Sequence, residues 1–376
     1  MPEFLKKFRP FLSVFIRVYL WLIFLEGCGS LEVGRVKAPP SRSENPYAQN
    51  KPTSAKNVLF LGTGSTQGTF LMVMGDSGEE PAFVLKEPVL PEPPRWNPVE
   101  PSLAFFSSYH YPHEELFSVK ADGTGREWLS LGTTRDACRD ADWLPDGKGM
   151  VYISDGTDQS EIYLLEASAG ERVRLTQSPM AVKISDPRVS PDGQRIAFVV
   201  SESDYSNIDV IVNGRPTRTY EWTKAGPGVH YRNPRWAPDG KWLLAETDRF
   251  GKREIVRIDA DTYWEKRLTY SSPGESWEPR VSPDGRWICY TSNRGNGNAV
   301  YRMDAEGQQD RPESPPELRA SQAAWYPDSK SLVFVGIDAT GNAELYRVDA
   351  DGGHLFKMTD SPEWVKSHPE VQGARW

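Results

Sequence analysis

Seven recurring positions along the chain carry side chains that suit the binding of a partner. Each lies three residues before an aromatic or valine anchor, and the anchors recur at intervals of 44 to 51 residues. Five of the seven are carboxylate or amide residues, which accept hydrogen bonds, and the carboxylates also attract cations. In chain order the positions are Pro93, Asp140, Asp186, Asn233, Glu278, Gln322 and Gly373.

This polar column has two interpretations, and the sequence leaves both open. In the first, the side chains ring the mouth of a channel and accept donors from a partner peptide, a basic loop or a cation. In the second, they start each strand by hydrogen bonding to nearby backbone, a habit of Asp and Asn. The first interpretation predicts a binding site.

A second column, one residue before each anchor, is mostly arginine. Its members are Arg95, Asp142, Arg188, Arg235, Arg280, Ala324 and Arg375. So regular a column predicts a structural role, in which these residues pair neighbouring repeats.

Aromatic residues are concentrated in the segments that lead into several of these positions. The segments differ between repeats while the rest of each repeat is constant, and exposed Trp, Tyr and Arg dominate binding hot spots. Packing over the tops of the repeats is the alternative role. The predicted recognition surface comprises Asp140, Asp186, Asn233, Glu278, Gln322, Trp222, His230, Tyr231, Trp277 and Trp364.

The sequence carries no catalytic motif that we recognise. A Gly-x-Ser-x-Gly elbow is absent, and in the nearest string, residues 62–68, no glycine lies two residues before Ser65. Of the histidines, only His230 and His368 lie in segments leading into the polar column, and the three cysteines have no metal-ligand spacing. We therefore predict that the protein is not an enzyme and uses no metal or cofactor. A lyase-like enzyme or binding protein that acts on polysaccharide through the same mouth is the alternative.

The elements that must position these columns follow from the repeat itself. A short strand leads to Pro-Asp-Gly, where Pro presets φ and Gly takes the positive φ of a chain reversal. An alternating apolar strand, a third strand and a short strand carrying Arg-Leu-Thr complete the unit. Four strands in about 46 residues are typical of one blade of a β-propeller. The anchors are Trp96, Trp143, Val189, Trp236, Val281, Trp325 and Trp376.

The two ends of the repeat array complement each other. Residues 54–92 supply the second, third and fourth strands of a blade, and Val371–Trp376 reads as the missing first strand. Pairing these segments closes the ring and leaves no open sheet edge. The sequence thus predicts an all-β fold, a seven-bladed propeller over residues 54–376, with six blades as the alternative.

The repeated Pro-Asp-Gly unit, followed by Ile-Ala-Phe or Val-Tyr-Ile, resembles the repeat of TolB-type propellers. The resemblance covers residues 54–376 and implies a protein-binding role in the cell envelope, with an envelope or peptidoglycan-associated protein as partner. TolB itself has a small α/β domain before its propeller, and this chain has no room for one. Similar propellers form the non-catalytic half of prolyl oligopeptidases and the body of oligogalacturonate lyases, so fold alone does not select the function.

The first residues of the chain read as an export signal. Residues 1–27 combine a basic start with a short apolar stretch, and Leu25, Gly27 and Cys28 resemble a bacterial lipobox, from which Glu26 departs. Residues 28–53 are polar and rich in Ser and Pro, which is typical of a flexible tether. We predict a protein of the periplasm or outer membrane, lipidated at Cys28.

Composition agrees with a folded, exported β protein. The chain has 376 residues with 31 Gly, 31 Pro and 13 Trp, and its formal net charge is −8. An acidic balance argues against nucleic-acid binding, because neutralising phosphates requires clustered Lys and Arg.

Overall fold

Short β-strands joined by tight turns run through the whole described part of the protein. The computed structural model describes residues 57–374, except 66–67, 77–79, 86, 101–102, 111–112, 130–136, 158, 167–171, 213–218 and 352. The predicted signal, the tether and Cys28 lie outside the described residues, as do Arg375 and Trp376. All described residues belong to one compact unit, Asn45–Trp376. None of them forms a helix long and apolar enough to cross a lipid bilayer.

The strands of the first half of the array are β1 (Asn57–Gly64), β2 (Gly68–Gly75), β3 (Ala82–Phe83), β4 (Arg95–Trp96), β5 (Leu103–His110), β6 (His113–Lys120), β7 (Glu127–Trp128), β8 (Cys138–Trp143), β9 (Gly149–Ser154), β10 (Glu161–Glu166), β11 (Arg172–Arg174), β12 (Lys183–Val189), β13 (Arg195–Ser201), β14 (Ser206–Val212) and β15 (Thr219–Glu221). Those of the second half are β16 (Tyr231–Trp236), β17 (Trp242–Thr247), β18 (Glu254–Asp259), β19 (Glu265–Arg267), β20 (Ser276–Val281), β21 (Trp287–Gly295), β22 (Gly297–Asp304), β23 (Arg311–Pro312), β24 (Arg319–Trp325), β25 (Ser331–Ile337), β26 (Ala343–Asp349), β27 (Phe356–Lys357) and β28 (Trp364–Val371).

These strands form seven antiparallel four-stranded sheets, the blades of a β-propeller. Blade 1 has the order β28-β1-β2-β3, and blades 2 to 7 each use four consecutive strands, from β4–β7 to β24–β27. The predicted all-β, seven-bladed fold is confirmed, and the six-bladed alternative is wrong.

The hydrophobic core is divided among the interfaces between blades. In β1, Val58 and Phe60 pack against blade 7, whereas Leu59 and Leu61 pack against blade 2. Because successive side chains of a strand point to opposite faces, an inner strand that is buried on both faces reads as a continuous apolar run. Seven clusters of buried side chains fill the seven blade interfaces among the described residues. The ring therefore has no single core, and every blade depends on both neighbours.

The ring closes as predicted, but through an earlier segment of the chain. β28 pairs with β1, with Val371 opposite Val58 and Glu370 opposite Leu59. The first strand of blade 1 is thus Trp364–Val371 and not Val371–Trp376. Its anchor is Val371, 46 residues after Trp325, which makes the repeat more regular than the sequence prediction.

A β-bulge interrupts the first strand in six of the seven blades. At each bulge one polar residue adopts the left-handed conformation, which Asn and Asp tolerate better than most residues. The φ angles lie between 52° and 56°. The residues are Asp140, Asp186, Asn233, Glu278, Gln322 and His368.

The Arg-Leu-Thr motif satisfies a buried carboxylate near the outer edge of a blade. In blade 5, Glu254 is fully buried and accepts hydrogen bonds from Thr269, from the Ser271 hydroxyl at 3.0 Å and from Arg267 at 3.0 Å. Blade 3 repeats this arrangement around Glu161. Buried carboxylates are tolerated when they are paired and hydrogen bonded, so the motif makes this acidic position compatible with the fold.

In blade 7 the corresponding carboxylate takes part in ring closure. Glu344 in β26 accepts from Thr359 and from the Ser361 amide at 3.0 Å. Its third contact is Lys366 of β28, whose Nζ lies 2.7 Å from Oε2, and neither side chain is more than 1% exposed. Burial lowers the pKa of Lys366, and Glu344 counteracts this only in part. A buried ion pair thus joins the closing strand to blade 7.

We predict that Lys366→Met destabilises the protein by about 3–5 kcal/mol, because it leaves the Glu344 carboxylate buried without its cation. Urea unfolding measures the change. The double variant Lys366→Met/Glu344→Gln should recover most of the loss. Lys357→Met, which breaks the exposed pair with Asp360, is the control and should cost less than about 1 kcal/mol. Equal losses in the single and double variants would contradict the assignment.

Candidate binding channel

The six bulge residues form a ring around the central channel, which we call the polar tier: Asp140, Asp186, Asn233, Glu278, Gln322 and His368. Pro93 adopts no such conformation, and Gly373 lies beyond the end of β28, so His368 takes the position predicted for Gly373. Five of the seven predicted positions thus lie together. The spacing located these five bulge residues, and it failed at Pro93 and at Gly373.

Side chains of the polar tier bind the backbone of the next blade. The Gln322 amide N–H donates to Glu278 Oε2 at 3.1 Å, and the His368 N–H donates to Gln322 Oε1 at 2.9 Å. The Asp186 N–H lies 3.4 Å from Asp140 Oδ2. A bulge leaves a backbone N–H without its strand partner, and buried donors need an acceptor. The acceptor side chains of this column therefore supply hydrogen bonds between blades.

Between blades 5 and 6, a carboxylate outside the polar tier, Glu246, joins two members of the tier. Glu246 Oε1 accepts from Asn233 Nδ2 at 2.7 Å and from the Glu278 N–H at 2.8 Å. Burial raises the pKa of Glu246 although these hydrogen bonds oppose it. The sequence left two interpretations of this column, a binding site and hydrogen bonding to nearby backbone. The contacts are hydrogen bonds to backbone, but the backbone belongs to the next blade and not to the same strand.

The arginine column forms a second ring, nearer the Pro-Asp-Gly turns, because its members follow the polar tier along each first strand. We call Arg95, Arg188, Arg235 and Arg280 the arginine tier. All four line one cavity, together with Asp142 and the anchors of blades 2 to 5. Arg375 lies outside the described residues, and Glu370 holds the corresponding place in blade 1.

The predicted pairing of neighbouring blades at this column is made by its backbone. The indole N–H of Trp143 donates to the Arg95 carbonyl at 3.3 Å, and that of Trp236 donates to the Arg188 carbonyl at 3.0 Å. Trp325 and Trp96 bond the carbonyls of Arg280 and Glu370 in the same way. The guanidinium groups are left to point into the channel.

Three carboxylates approach the arginine tier. Asp186 contacts Arg188 and lies 3.6 Å from Arg235, while Glu370 lies 3.5 Å from Arg280. Burial alone would raise the pKa of Asp186, but Arg188, Arg235 and Arg95 outweigh it and lower that pKa. Asp142 accepts the Val189 N–H at 2.8 Å. The tier is therefore only partly neutralised.

Two of the predicted recognition residues are buried between blades. Trp222 is 6% exposed and packs on Trp236 and Tyr263, with ring centroids 5.6 and 5.2 Å away. Tyr231 is 0% exposed; its hydroxyl donates to Glu265 at 2.6 Å and accepts from Arg249 at 2.8 Å. Both hold their loops in place, which is the packing role that the sequence left as the alternative.

The other three predicted loop residues lie nearer the surface. Trp277 is half-buried beneath Arg253, 5.8 Å from its ring centroid, and Trp364 packs edge-on against Phe70 and Phe83. The backbone N–H of His230 donates to Asp248 at 2.6 Å. These three remain on the face formed by the loops that enter the first strands.

An exposed aromatic patch on this face was missed by the sequence analysis. Phe250 is 39% and Tyr270 71% exposed, and the guanidinium of Arg267 lies 4.4 Å from both ring centroids. Phe250 lies in the β17–β18 loop and Tyr270 directly after Arg-Leu-Thr. The sequence does contain a signal for this patch: an aromatic residue, Tyr270, follows Arg-Leu-Thr in blade 5, whereas Gln177 follows it in blade 3.

The described residues contain no evident set of metal ligands. Among those residues, no three His, Cys, Asp or Glu side chains are grouped as metal ligands. Cys138 and Cys289 are buried free thiols, and the side chains of His110 and His113 lie outside the described part.

Solved structures with the same fold come from several functional classes. TolB from Acinetobacter baumannii matches with a TM-score of 0.52 and 20% identity, covering 84% of this chain and 82% of that one. Puromycin hydrolase gives a TM-score of 0.65 at 16% identity over 86% of this chain and 55% of its own. An oligogalacturonate lyase in complex with manganese gives 0.60 at 13% identity, over 82% and 86%. At these identities the likeness establishes the fold alone.

Two relatives found by sequence point to different functions. An uncharacterized peptidase, YuxL, of Bacillus subtilis is 30% identical over 32% of this chain, and a TolB homolog of Chlorobaculum tepidum is 28% identical over 33%. The matches span about a quarter of each relative, 24% and 27%. The prediction that the protein is not an enzyme is corrected by the first of these relatives, which is named as a peptidase.

The family is decided by the repeat itself. The sequence pattern of the family described as TolB beta propeller domain matches residues 175–362, half of the chain. This stretch runs from the last residues of blade 3 to the end of blade 7 and includes most of the polar tier. The predicted resemblance is confirmed, and the chain belongs to the TolB β-propeller domain family.

Proposed function

We propose that this protein is an exported propeller that binds a protein partner on its loop face. The loop face comprises the loops that enter the first strands, with the β17–β18 loop beside them. The observation that carries the proposal is the exposed group of Phe250, Tyr270 and Arg267 on this face. Exposed aromatic rings beside arginine are the side chains that contribute most to protein interfaces.

The patch is held in place before any partner arrives. Arg267 donates from Nε to the Thr269 carbonyl at 2.8 Å and from Nη2 to Glu254 at 3.0 Å. Its guanidinium is thus fixed from below while both rings rest on it. Because a fixed side chain loses little conformational entropy on binding, this arrangement favours affinity.

The polar tier has a supporting role in this proposal. Asp140, Asp186, Asn233, Glu278 and Gln322 form the channel wall beneath the loop face. The acceptors of Asp140, Glu278 and Gln322 are engaged by the next blade. Trp277, His230 and Trp364 lie on the face itself and extend the recognition surface. Partner contacts are therefore expected from the loops more than from the channel wall.

We predict that Phe250→Ala/Tyr270→Ala lowers partner recovery in a pull-down from envelope extract by about tenfold or more, the size of a hot-spot loss. Trp264→Ala is the matched control. Trp264 is 63% exposed and lies in the turn after β18, at the opposite end of that strand from Phe250. Recovery that falls equally in both variants, or in neither, would remove the loop face as the site.

Export and anchoring form a separate part of the proposal, based on residues 1–53. We expect the protein to fractionate with membranes, and Cys28→Ser to release it into the soluble fraction, because the lipid attachment site is lost. Incorporation of labelled palmitate into the wild type, and its loss in the variant, is the direct measurement. A wild-type protein that takes up no label would refute lipidation at Cys28.

A second candidate function follows from the peptidase relative at 30% identity. In this reading the channel admits peptides to be hydrolysed. A panel of aminoacyl and prolyl p-nitroanilides tests it: release of nitroaniline that co-purifies with the protein supports a peptidase. Partner recovery that depends on Phe250 and Tyr270, without such release, supports the binding protein.

A further inference from the structure

The arginine tier brings like charges together inside the channel. Arg188, Arg235 and Arg280 have side chains that are 11%, 14% and 20% exposed, and Arg95 lines the same cavity. The cavity has a volume of about 40 Å³ and is open to solvent. Guanidinium groups remain charged in proteins, so this is a cavity with concentrated positive charge.

The carboxylates nearby leave part of this charge without a partner. Asp186 is shared between Arg188 and Arg235, and Glu370 is the partner of Arg280. Asp142 lines the same cavity and accepts the Val189 N–H. Among the described residues, the Arg95 guanidinium has no hydrogen bond or ion pair. The Nε of Arg188 is buried and also lacks an acceptor. Buried donors without acceptors are rare in folded proteins, and each costs free energy.

The charge in the tier is unevenly neutralised, and the titration of the arginines reflects this. Burial would lower the pKa of Arg188, but Asp186, Asp142 and other carboxylates outweigh it and raise that pKa. Burial and then the charge of Arg188 lower the pKa of Arg95 to about 10, although Glu370 and Asp142 oppose the shift. Burial and then Arg188 also lower the pKa of Arg235 well below its ordinary value. The same field acts on a neighbour, since burial, Arg280 and Arg95 together lower the pKa of His368 to about 4.

We propose that the arginine tier binds a small oxyanion of the phosphate or carboxylate class within the channel. Such an anion supplies acceptors for Arg95 and for Arg188 Nε and offsets the excess positive charge. The planar guanidinium fork matches the two oxygens of a carboxylate or phosphate group, which makes oxyanions the fitting class. The site lies nearer the Pro-Asp-Gly turns than the loop face, so it does not depend on the proposed partner surface.

Titration calorimetry with inorganic phosphate, and separately with acetate, tests the proposal on the purified protein in an anion-poor buffer. We expect saturable binding with one anion per chain, and Arg95→Gln should weaken it about tenfold or more, the effect of losing a charged hydrogen bond. Arg286→Gln, at an 81% exposed side chain, is the control and should bind as the wild type does. The relative affinities for phosphate and acetate identify the preferred oxyanion.

Two further measurements separate an anion site from a structural arginine. Without anion, Arg95→Gln should melt at the same temperature as the wild type or higher, because it removes a repelled charge. Anion binding should also raise the pKa of His368 in an NMR titration, since the bound charge favours the imidazolium. Absence of binding by both anions, equal binding by Arg95→Gln, or a strong loss of stability in that variant would overturn the proposal.

Discussion

The fold depends on one constraint: each blade is apolar on both faces and must be covered by two neighbours. A row of such blades always leaves two faces bare, whereas a closed ring leaves none. Closure therefore falls to a single pairing, that of β28 with β1, and the buried Lys366–Glu344 pair reinforces it from the side. Because stability is shared among seven interfaces, no blade is independent of the closure.

The same ring creates the channel and sets what it contains. Six blades carry a bulge with a polar residue, and in three of them its side chain accepts a backbone N–H of the next blade. Two residues later, arginine side chains are directed inward because the tryptophan anchors already bond their carbonyls. The acceptors of Asp140, Glu278 and Gln322 are thus engaged by the protein, whereas Arg188 Nε in the arginine tier and His368 Nδ1 are buried without a hydrogen-bond partner. Buried polar groups without a partner are rare in folded proteins, and in the arginine tier we propose that a bound anion supplies the partner.

Much of this architecture is present in the sequence, since Pro-Asp-Gly turns and alternating apolar strands recur at an even interval. The prediction failed at the last anchor because Val371 is followed by Gln372-Gly373 and not by a Pro-Asp-Gly turn. The final Arg375-Trp376 has the same residue types as the true anchors at Arg95-Trp96 and Arg235-Trp236, and so was mistaken for one. A proline two residues before the anchor, as in Pro187 and Pro369, was the better guide. Burial of Trp222 and Tyr231 could not be foreseen, because composition does not tell a packed aromatic ring from an exposed one.

In a propeller the repeated blades carry the fold and the loops vary, which fits the different activities of proteins that share it. The blades repeat because each must meet the same interface, so substitutions there are restricted by packing. The loops on the two faces have no such restriction, and here blade 5 alone places Phe250 and Tyr270 over a fixed arginine. TolB, hydrolase and lyase structures can therefore share the ring while their chemistry differs. In this chain the distinguishing features are the loop-face patch and the arginines within the channel, and these are the two sites at which we propose that it binds its ligands.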